Sequence, residues 1–337
     1  MKKFLTLLIA LSLVLTTFTS CNNVDNQPLG SVNIVVEKDH DAVAAKMATG
    51  ELEIAVLPEP KATASILAAK QKGYNYSIKL NLSTEWSNVS ENDLPMGCIV
   101  VKNDFLKSHE GSVVDFLNEY KASIEYVGNS ANKANAAQMI VSAGILPKLP
   151  IANASLDNLY GSIVYEDGSD MKTTLKAFYE AINIQSPGDS FYYTPNKNAA
   201  TDKEKIKVGV MNGPTGMGMA KLINDYGADS DRYEFRLFSS PEQATAALSS
   251  GEIDLACVPT NLAANLANKA NDYISVAAIN CLGSLYVVVR DDVEIKSISD
   301  LKDKTVYYGV KTSTTEPILK YILEKNDLKI NVTDSND

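Results

Sequence analysis

Residues 41–68 read DAVAAKMATGELEIAVLPEPKATASILA, and residues 242–267 read EQATAALSSGEIDLACVPTNLAANLA. The two stretches align without a gap at an offset of 251 − 50 = 201 positions, with Gly50 on Gly251. Ala45, Gly50, Glu51, Ala55, Pro58 and Ala62 recur in the second copy. In each copy, apolar residues at three- and four-residue intervals predict a helix that stops at the glycine, which suits a left-handed C-cap. A short strand follows that is apolar throughout, as in the middle of a parallel sheet covered on both faces. A proline then closes the strand and a new helix begins.

Working outward, each copy sits in the same surroundings. VNIVVEKDHD (32–41) precedes the first and YEFRLFSSPE (233–242) the second, each a strand running into a helix start. SIKLNLSTEW (77–86) and MGCIVVKND (96–104) follow the first, and YISVAAINCLGSLYVVVRDD (273–292) the second. Strands alternating with helices imply βαβ units and a parallel or mixed sheet. Two such units imply two similar lobes, with a ligand cleft between them. Residues 110–128, 132–144 and 170–183 have helical spacing. Residues 186–205, SPGDSFYYTPNKNAATDKEK, lack periodicity and read as a linker or surface loop. TVYYGVKTSTTEPILKYILEKNDL (305–328) is strand, loop and helix, and KINVTDSND (329–337) begins a strand or loop.

The chain has 337 residues and a formal charge of −10, with no Lys/Arg cluster, which disfavours nucleic acid. Its first residues, MKKFLTLLIALSLVLTTFTSCNN, join a basic start to an apolar run too short for a comfortable membrane span, the pattern of an export signal over 1–21. FTSC resembles a bacterial lipobox, with Phe18 where Leu is commonest; Cys21 is then the lipidated residue. The alternative is an ordinary cleaved signal. Cys98, Cys257 and Cys281 each lie in an apolar, strand-like run without C-x-x-C spacing. They read as small buried hydrophobes, with a Cys257–Cys281 bridge left open.

The ordered set VGVMNGPTGMGMAKL (208–222), SGEIDLACVPTNLA, LGSLYVVV, SISDLKDKTVYYGVKTSTTEPILKYIL, GELEIAVLPEP and MGCIVVKNDFL resembles the nitrate/sulfonate/taurine-type substrate-binding proteins of ABC transporters. That resemblance implies a type II periplasmic binding protein fold: α/β, two Rossmann-like lobes, a hinge of two crossings and a ligand cleft between the lobes. The order is rotated, since the family would place 205–337 first and about 26–195 after it. This implies a circular permutation, with 186–205 joining the family's usual ends; the alternative is a piece of a longer chain. With crossings after LYVVV and GCIVV, one lobe is expected over 24–99 plus 293–337 and a continuous lobe over 100–292.

Ligands of open α/β sheets sit beyond the carboxyl ends of strands, at helix N-termini. By position and resemblance, the binding residues are expected on several loops. Asn212, Gly213, Pro214, Thr215, Gly216 and Met217 form a glycine-bearing turn that is neither a P-loop nor a dinucleotide fingerprint. Thr260 and Asn261 open the next helix, where plain capping is the competing reading. Leu282 and Gly283 lie near a crossing strand. Lys311, Thr312, Ser313 and Thr314 precede a helix and suit an oxyanion. Glu59 holds the repeat position of Thr260 and would favour an amine or ring N–H. Trp86, the only tryptophan, would stack on a planar ligand or else pack at the lobe edge.

No catalytic residue, metal or cofactor is expected. The sequence lacks G-x-S-x-G and H-E-x-x-H, His40 and His109 lie in charged surroundings that read as solvated, and Asp39/Asp41 read as helix-cap charge. The resemblance implies a lipid-anchored, extracytoplasmic, monomeric protein with a small anionic, zwitterionic or heterocyclic solute and ABC permease subunits as partners. Nucleic acid is excluded, and the membrane is met only through the anchor. An enzyme on the same fold, or a sensor without a permease, is the alternative.

Overall fold

The computed structural model describes residues 30–196, 198–200, 202–227, 230–270, 272–310 and 313–335. The expected signal and Cys21 therefore lie outside the described residues, as do Lys311 and Thr312. The chain opens with β1 (Ser31–Glu37), α1 (His40–Thr49), β2 (Ile54–Pro58), α2 (Lys61–Gln71), β3 (Tyr76–Asn81) and α3 (Leu82–Val89). It continues through β4 (Pro95–Lys102), α4 (Asn103–Ser108), α5 (Glu110–Val127), α6 (Lys133–Ser142), α7 (Leu149–Asn158), β5 (Ile163–Glu166) and α8 (Gly168–Ala181). Then come β6 (Ile206–Met211), α9 (Pro214–Met217), α10 (Ala220–Tyr226), β7 (Tyr233–Phe238), α11 (Pro241–Ser250), β8 (Leu255–Pro259) and α12 (Thr260–Lys269). The last elements are β9 (Ile274–Leu282), β10 (Leu285–Arg290), β11 (Thr305–Gly309), α13 (Thr315–Lys325) and β12 (Lys329–Asp334).

The repeat folds as its pattern dictates. α1 ends at Gly50 with φ 72° and α11 at Gly251 with φ 77°, and each glycine N–H returns to the last helical turn. β2 and β8 are buried from their first residue to the one before the proline. Around these strands two six-stranded sheets assemble, ordered β12-β1-β11-β2-β10-β3 and β5-β9-β4-β8-β6-β7. Read from opposite ends, β1-β11-β2-β10-β3 matches β7-β6-β8-β4-β9 strand for strand. The directions match too: the first two pairings are parallel, and the crossing strands β10 and β4 run antiparallel to both neighbours. The molecule is thus a two-lobed mixed α/β fold with an internal pseudo-repeat.

Two placements differ from the sequence expectation. β4 pairs in the second sheet and β10 in the first, so the chain crosses before GCIVV and before LYVVV, not after them. These strands are uniformly apolar, and hydrophobicity alone carries no sign of which sheet receives them. The described part of segment 186–205 has one short 3-10 turn, Asp189–Phe191, and packs against the second lobe. Phe191 and Tyr192 are buried, Tyr192 bridges Val276, and a β-carbon on Gly111 would lie 2.0 Å from the Ala200 carbonyl.

The lobes share one apolar cluster that includes Val32 and Val56 of the first sheet and Val100 and Val258 of the second. α5, α6, α7 and α10 bury a separate core under the second sheet around Phe116, Tyr120 and Ile140. Cys98, Cys257 and Cys281 are buried free thiols, as their apolar surroundings predict. Among the described residues no helix is long and apolar enough to cross a membrane.

Candidate functional site

Where the lobes meet, β6 ends and the chain turns through Asn212 and Gly213 into α9. Gly213 has φ 104°, and a β-carbon there would stand 3.6 Å from Cδ of Pro60 in the other lobe. The turn therefore faces the first lobe, and Asn212 is exposed at its tip. Gly216 closes the turn so tightly that a β-carbon would sit 1.9 Å from the Met211 carbonyl oxygen. A buried network holds the turn from behind. Asn280 Nδ2 donates to the Thr215 carbonyl at 3.1 Å and to Tyr120 Oη at 3.0 Å. Ser123 Oγ donates to the Gly218 carbonyl at 2.6 Å and accepts from Leu222 N at 3.0 Å. Pro214 and Thr215 are half-buried, whereas Met217 is fully buried in the second lobe's core and is a packing residue.

Thr260 and Asn261 open α12 and part company. Thr260 is fully buried; its hydroxyl donates to the Pro95 carbonyl at 2.8 Å, and its carbonyl accepts from Tyr179 at 3.0 Å. It ties the helix to β4 and does not face a ligand. Asn261 is half-buried, and its Oδ1 is shielded from solvent without a hydrogen-bond partner. It lines a cavity of about 510 Å³ between the lobes, with Asn265 on the same helix and Ser313, Glu316, Lys320, Tyr321 and Glu324 of the first lobe opposite. Tyr308 donates to Glu316 Oε2 at 2.6 Å. Thr314, nearly buried, precedes α13 without making a side-chain cap bond.

The remaining expected residues belong to the hinge. Gly283 has φ 25°, and a β-carbon on it would lie 2.2 Å from Cβ of Ser83; its N–H donates to the Leu94 carbonyl. Leu282 N donates to the Ser162 carbonyl at 2.7 Å. Glu59 is 2 % exposed and its carboxylate is filled by neutral donors. It accepts from Thr63 Oγ1 (2.8 Å) and N (3.4 Å), Ser155 Oγ (3.1 Å) and Asn158 Nδ2 (2.6 Å). Ser155 and Asn158 come from α7 of the other lobe, so Glu59 is an interlobe brace and has no oxygen left for a solute amine. Trp86 takes the packing alternative and does not stack on a ligand. It is fully buried at the lobe junction, its ring 4.6 Å from that of Tyr321 and 5.7 Å from that of Phe178, and its Nε1 donates to the Asn92 carbonyl.

Sequence reasoning missed Asn265, Glu316, Lys320 and Glu324. A signal existed: the four-residue spacing of 261/265 and of 316/320/324 puts each set on one helical stripe. It also misjudged His40, whose Nδ1 is buried without a partner. Burial, then the Lys61 charge, holds its imidazole below the usual histidine range. Asp39 and Asp41 do behave as cap charge: Asp39 Oδ1 accepts from Ala42 N at 2.8 Å, and Asp41 pairs with Lys61. No group of residues able to hold a metal occurs among the described residues.

Residues 218–336 match the family model described as ABC transporter, phosphonate, periplasmic substrate-binding protein, which spans about a third of the chain. No curated protein matches. Among solved structures, an ancestral arginine-binding protein bound to glutamine is 14% identical over 86% of this chain and 72% of its own, with a TM-score of 0.30. The binding protein component of an ABC phosphonate transporter from Pseudomonas aeruginosa is 10% identical over 86% of this chain and 66% of its own, with a TM-score of 0.33. A phosphate-binding protein of a phosphate ABC transporter from Streptococcus pneumoniae is 10% identical over 82% of this chain and 93% of its own, with a TM-score of 0.31.

Proposed function

We propose that the protein is a non-catalytic, extracytoplasmic solute-binding protein of an ABC importer, capturing a small polar solute by closure of its two lobes and presenting the closed form to a permease. The observation that carries this reading is the interlobe cavity, where Asn261 of one lobe faces Ser313 of the other. The family match over 218–336 supports it. The finer parts of the proposal are a monomer held to the outer face of a membrane through a lipid on Cys21, and a rotated order of lobe segments.

Among the anionic, zwitterionic and heterocyclic classes, the lining favours a zwitterion. Asn261 Oδ1 is an acceptor without a partner, Glu316 keeps acceptor capacity beyond its bond from Tyr308, and Lys320, 3.8 Å from Glu324, offers an exposed cation. A thermal-shift screen of the mature protein against amino acids, phosphonates, sulfonates, nitrate, polyamines and pyrimidines tests this. A solute at a hundred times its dissociation constant should add about 2.7 kcal/mol of stability. The Asn261→Ala/Ser313→Ala double variant should lose that shift while melting cooperatively on its own. A hit whose affinity survives both substitutions would place the site elsewhere.

A further inference from the structure

The pseudo-repeat leaves one strand unaccounted for. In the second lobe, β6 leads through α9 and α10 to β7, which lies directly beside β6. In the first lobe, β11 leads through α13 to β12, yet β12 lies one strand further out, because β1 fills the place beside β11. The connection out of β11 through α13 thus assigns that position to β12, while the connection onward into α1 and β2, which matches β7-α11-β8, assigns it to β1.

The sequences of the two strands say the same. They pair in parallel with Val32 opposite Ile330, Asn33 opposite Asn331, Ile34 opposite Val332 and Val35 opposite Thr333. Apolar, Asn, apolar and β-branched residues therefore recur in register, and Asn331 Nδ2 donates to Asn33 Oδ1 at 3.3 Å. The next pair breaks the match: Val36, which is 5 % exposed, stands opposite Asp334. A carboxylate at Val36's place would be buried among apolar neighbours, which disfavours β12 there. Outside β1 the cost vanishes, but Val332 is left 46 % exposed.

We propose that β1 and β12 are interchangeable occupants of one position beside β11, with β1 favoured because Val36 fits the buried end of that position and Asp334 does not. When β12 moves in, residues 30–37 leave the sheet together with whatever precedes them, so the first lobe can be closed with its N-terminal strand released.

Disulfide trapping reads the occupant directly. Thr305 pairs with Asn33 in the present register, and would pair with Asn331 after exchange. Neighbouring strands are about 4.8 Å apart and next-nearest ones about 9.6 Å, while a disulfide needs Cα atoms closer than about 7 Å. The native Cys98, Cys257 and Cys281 are fully buried and stay silent, and Cys21 is replaced by serine in every variant. In the full chain, Asn33→Cys/Thr305→Cys should crosslink and Asn331→Cys/Thr305→Cys should not. Adding Val36→Asp puts a carboxylate on both strands at that place and removes the preference for β1, so it should raise the Asn331–Thr305 crosslink at least tenfold, to a yield comparable with the Asn33–Thr305 one. A Val36→Asp chain that melts cooperatively yet never gives that crosslink overturns the proposal. Should Val36→Asp prevent folding, Asp334→Val in the otherwise native chain makes the decision. It improves β12 without substituting any residue of β1, and must yield the Asn331–Thr305 crosslink; its absence there also overturns the proposal.

Discussion

Removing the Glu59 carboxylate should weaken the junction between the lobes and leave the solute cavity intact. The side chain reaches from the end of β2 to Ser155 and Asn158 of α7, and its backbone N–H donates to the Ser284 carbonyl at the crossing, 2.8 Å away. Glu59→Ala strands the Ser155 hydroxyl, the Asn158 amide and the Thr63 hydroxyl. An orphaned buried donor costs about 1–3 kcal/mol. The Asn158 amide keeps Thr63 Oγ1 at 3.2 Å as an alternative acceptor, and relief of the carboxylate's own desolvation returns part of the loss. A net cost of about 3 kcal/mol follows. Glu59→Gln keeps one acceptor oxygen, and the Thr63 and Ser155 hydroxyls can turn to accept from its amide, so about 1–2 kcal/mol is expected. Urea unfolding measures both; with a slope of about 3 kcal/mol per molar, Glu59→Ala moves the midpoint by about 1 M. A cycle with Asn158→Ala should give a coupling energy above about 1 kcal/mol. A Glu59→Ala midpoint within error of the native one, or zero coupling, would show that the carboxylate is not a brace and return it to the cleft as a candidate solute ligand.

Gly216→Ala should cost about 1–3 kcal/mol, because its β-carbon has nowhere to go beside the Met211 carbonyl; a urea midpoint equal to the native one counts against the turn geometry. Burial raises the thiol pKa of Cys257 and Cys281 to about 12 and pushes Cys98 up as well. Peptide mapping after iodoacetamide at about pH 8 should therefore find all of them unmodified until urea unfolds the chain; rapid labelling of the native protein contradicts their placement. His40 has a lowered pKa, so between its folded and unfolded values the unfolded chain binds more protons. Its contribution is complete above the ordinary value of 6.5 and is lost as pH falls from there toward the folded pKa. Stability measured between roughly pH 7 and 5 should fall less steeply in His40→Asn than in the native chain; parallel curves would exclude a buried neutral imidazole.

Much of the fold was legible because the repeat carries its own punctuation. Gly50 and Gly251 can only end helices in the way they do, and IAVLP and LACVP have no polar face to turn toward water. Sheet membership of the crossing strands was not legible. MGCIVVK and LYVVVR are equally apolar and equally able to pair with either sheet, and what assigns them is the long-range register with β8 and β2. β12 was open for a related reason. KINVTD alternates weakly, and only its pairing partner decides between a strand and a loop.

The site was less legible than the fold, and the repeat explains why. Residue type and loop position placed Thr260 and Glu59 at helix starts beyond strand ends, where ligands often bind. A helix start, however, serves two directions at once. Successive residues point about 100° apart, so Thr260 turns back to the Pro95 carbonyl while Asn261 turns out to the cavity. Glu59, at the repeat position of Thr260, behaves as its counterpart does. Its N–H binds the Ser284 carbonyl next to β10, just as the Thr260 hydroxyl binds the Pro95 carbonyl at the start of β4. Since β10 and β4 are the equivalent crossing strands, the repeat position is the corner that ties each lobe to its incoming strand. A position kept in both copies for that purpose is poorly placed to discriminate a solute. The residues that face the cavity, Asn261 on one side and Ser313, Glu316 and Lys320 on the other, lie beside or outside the repeated positions. There each lobe is free to differ, and the two faces of one cleft need not be alike.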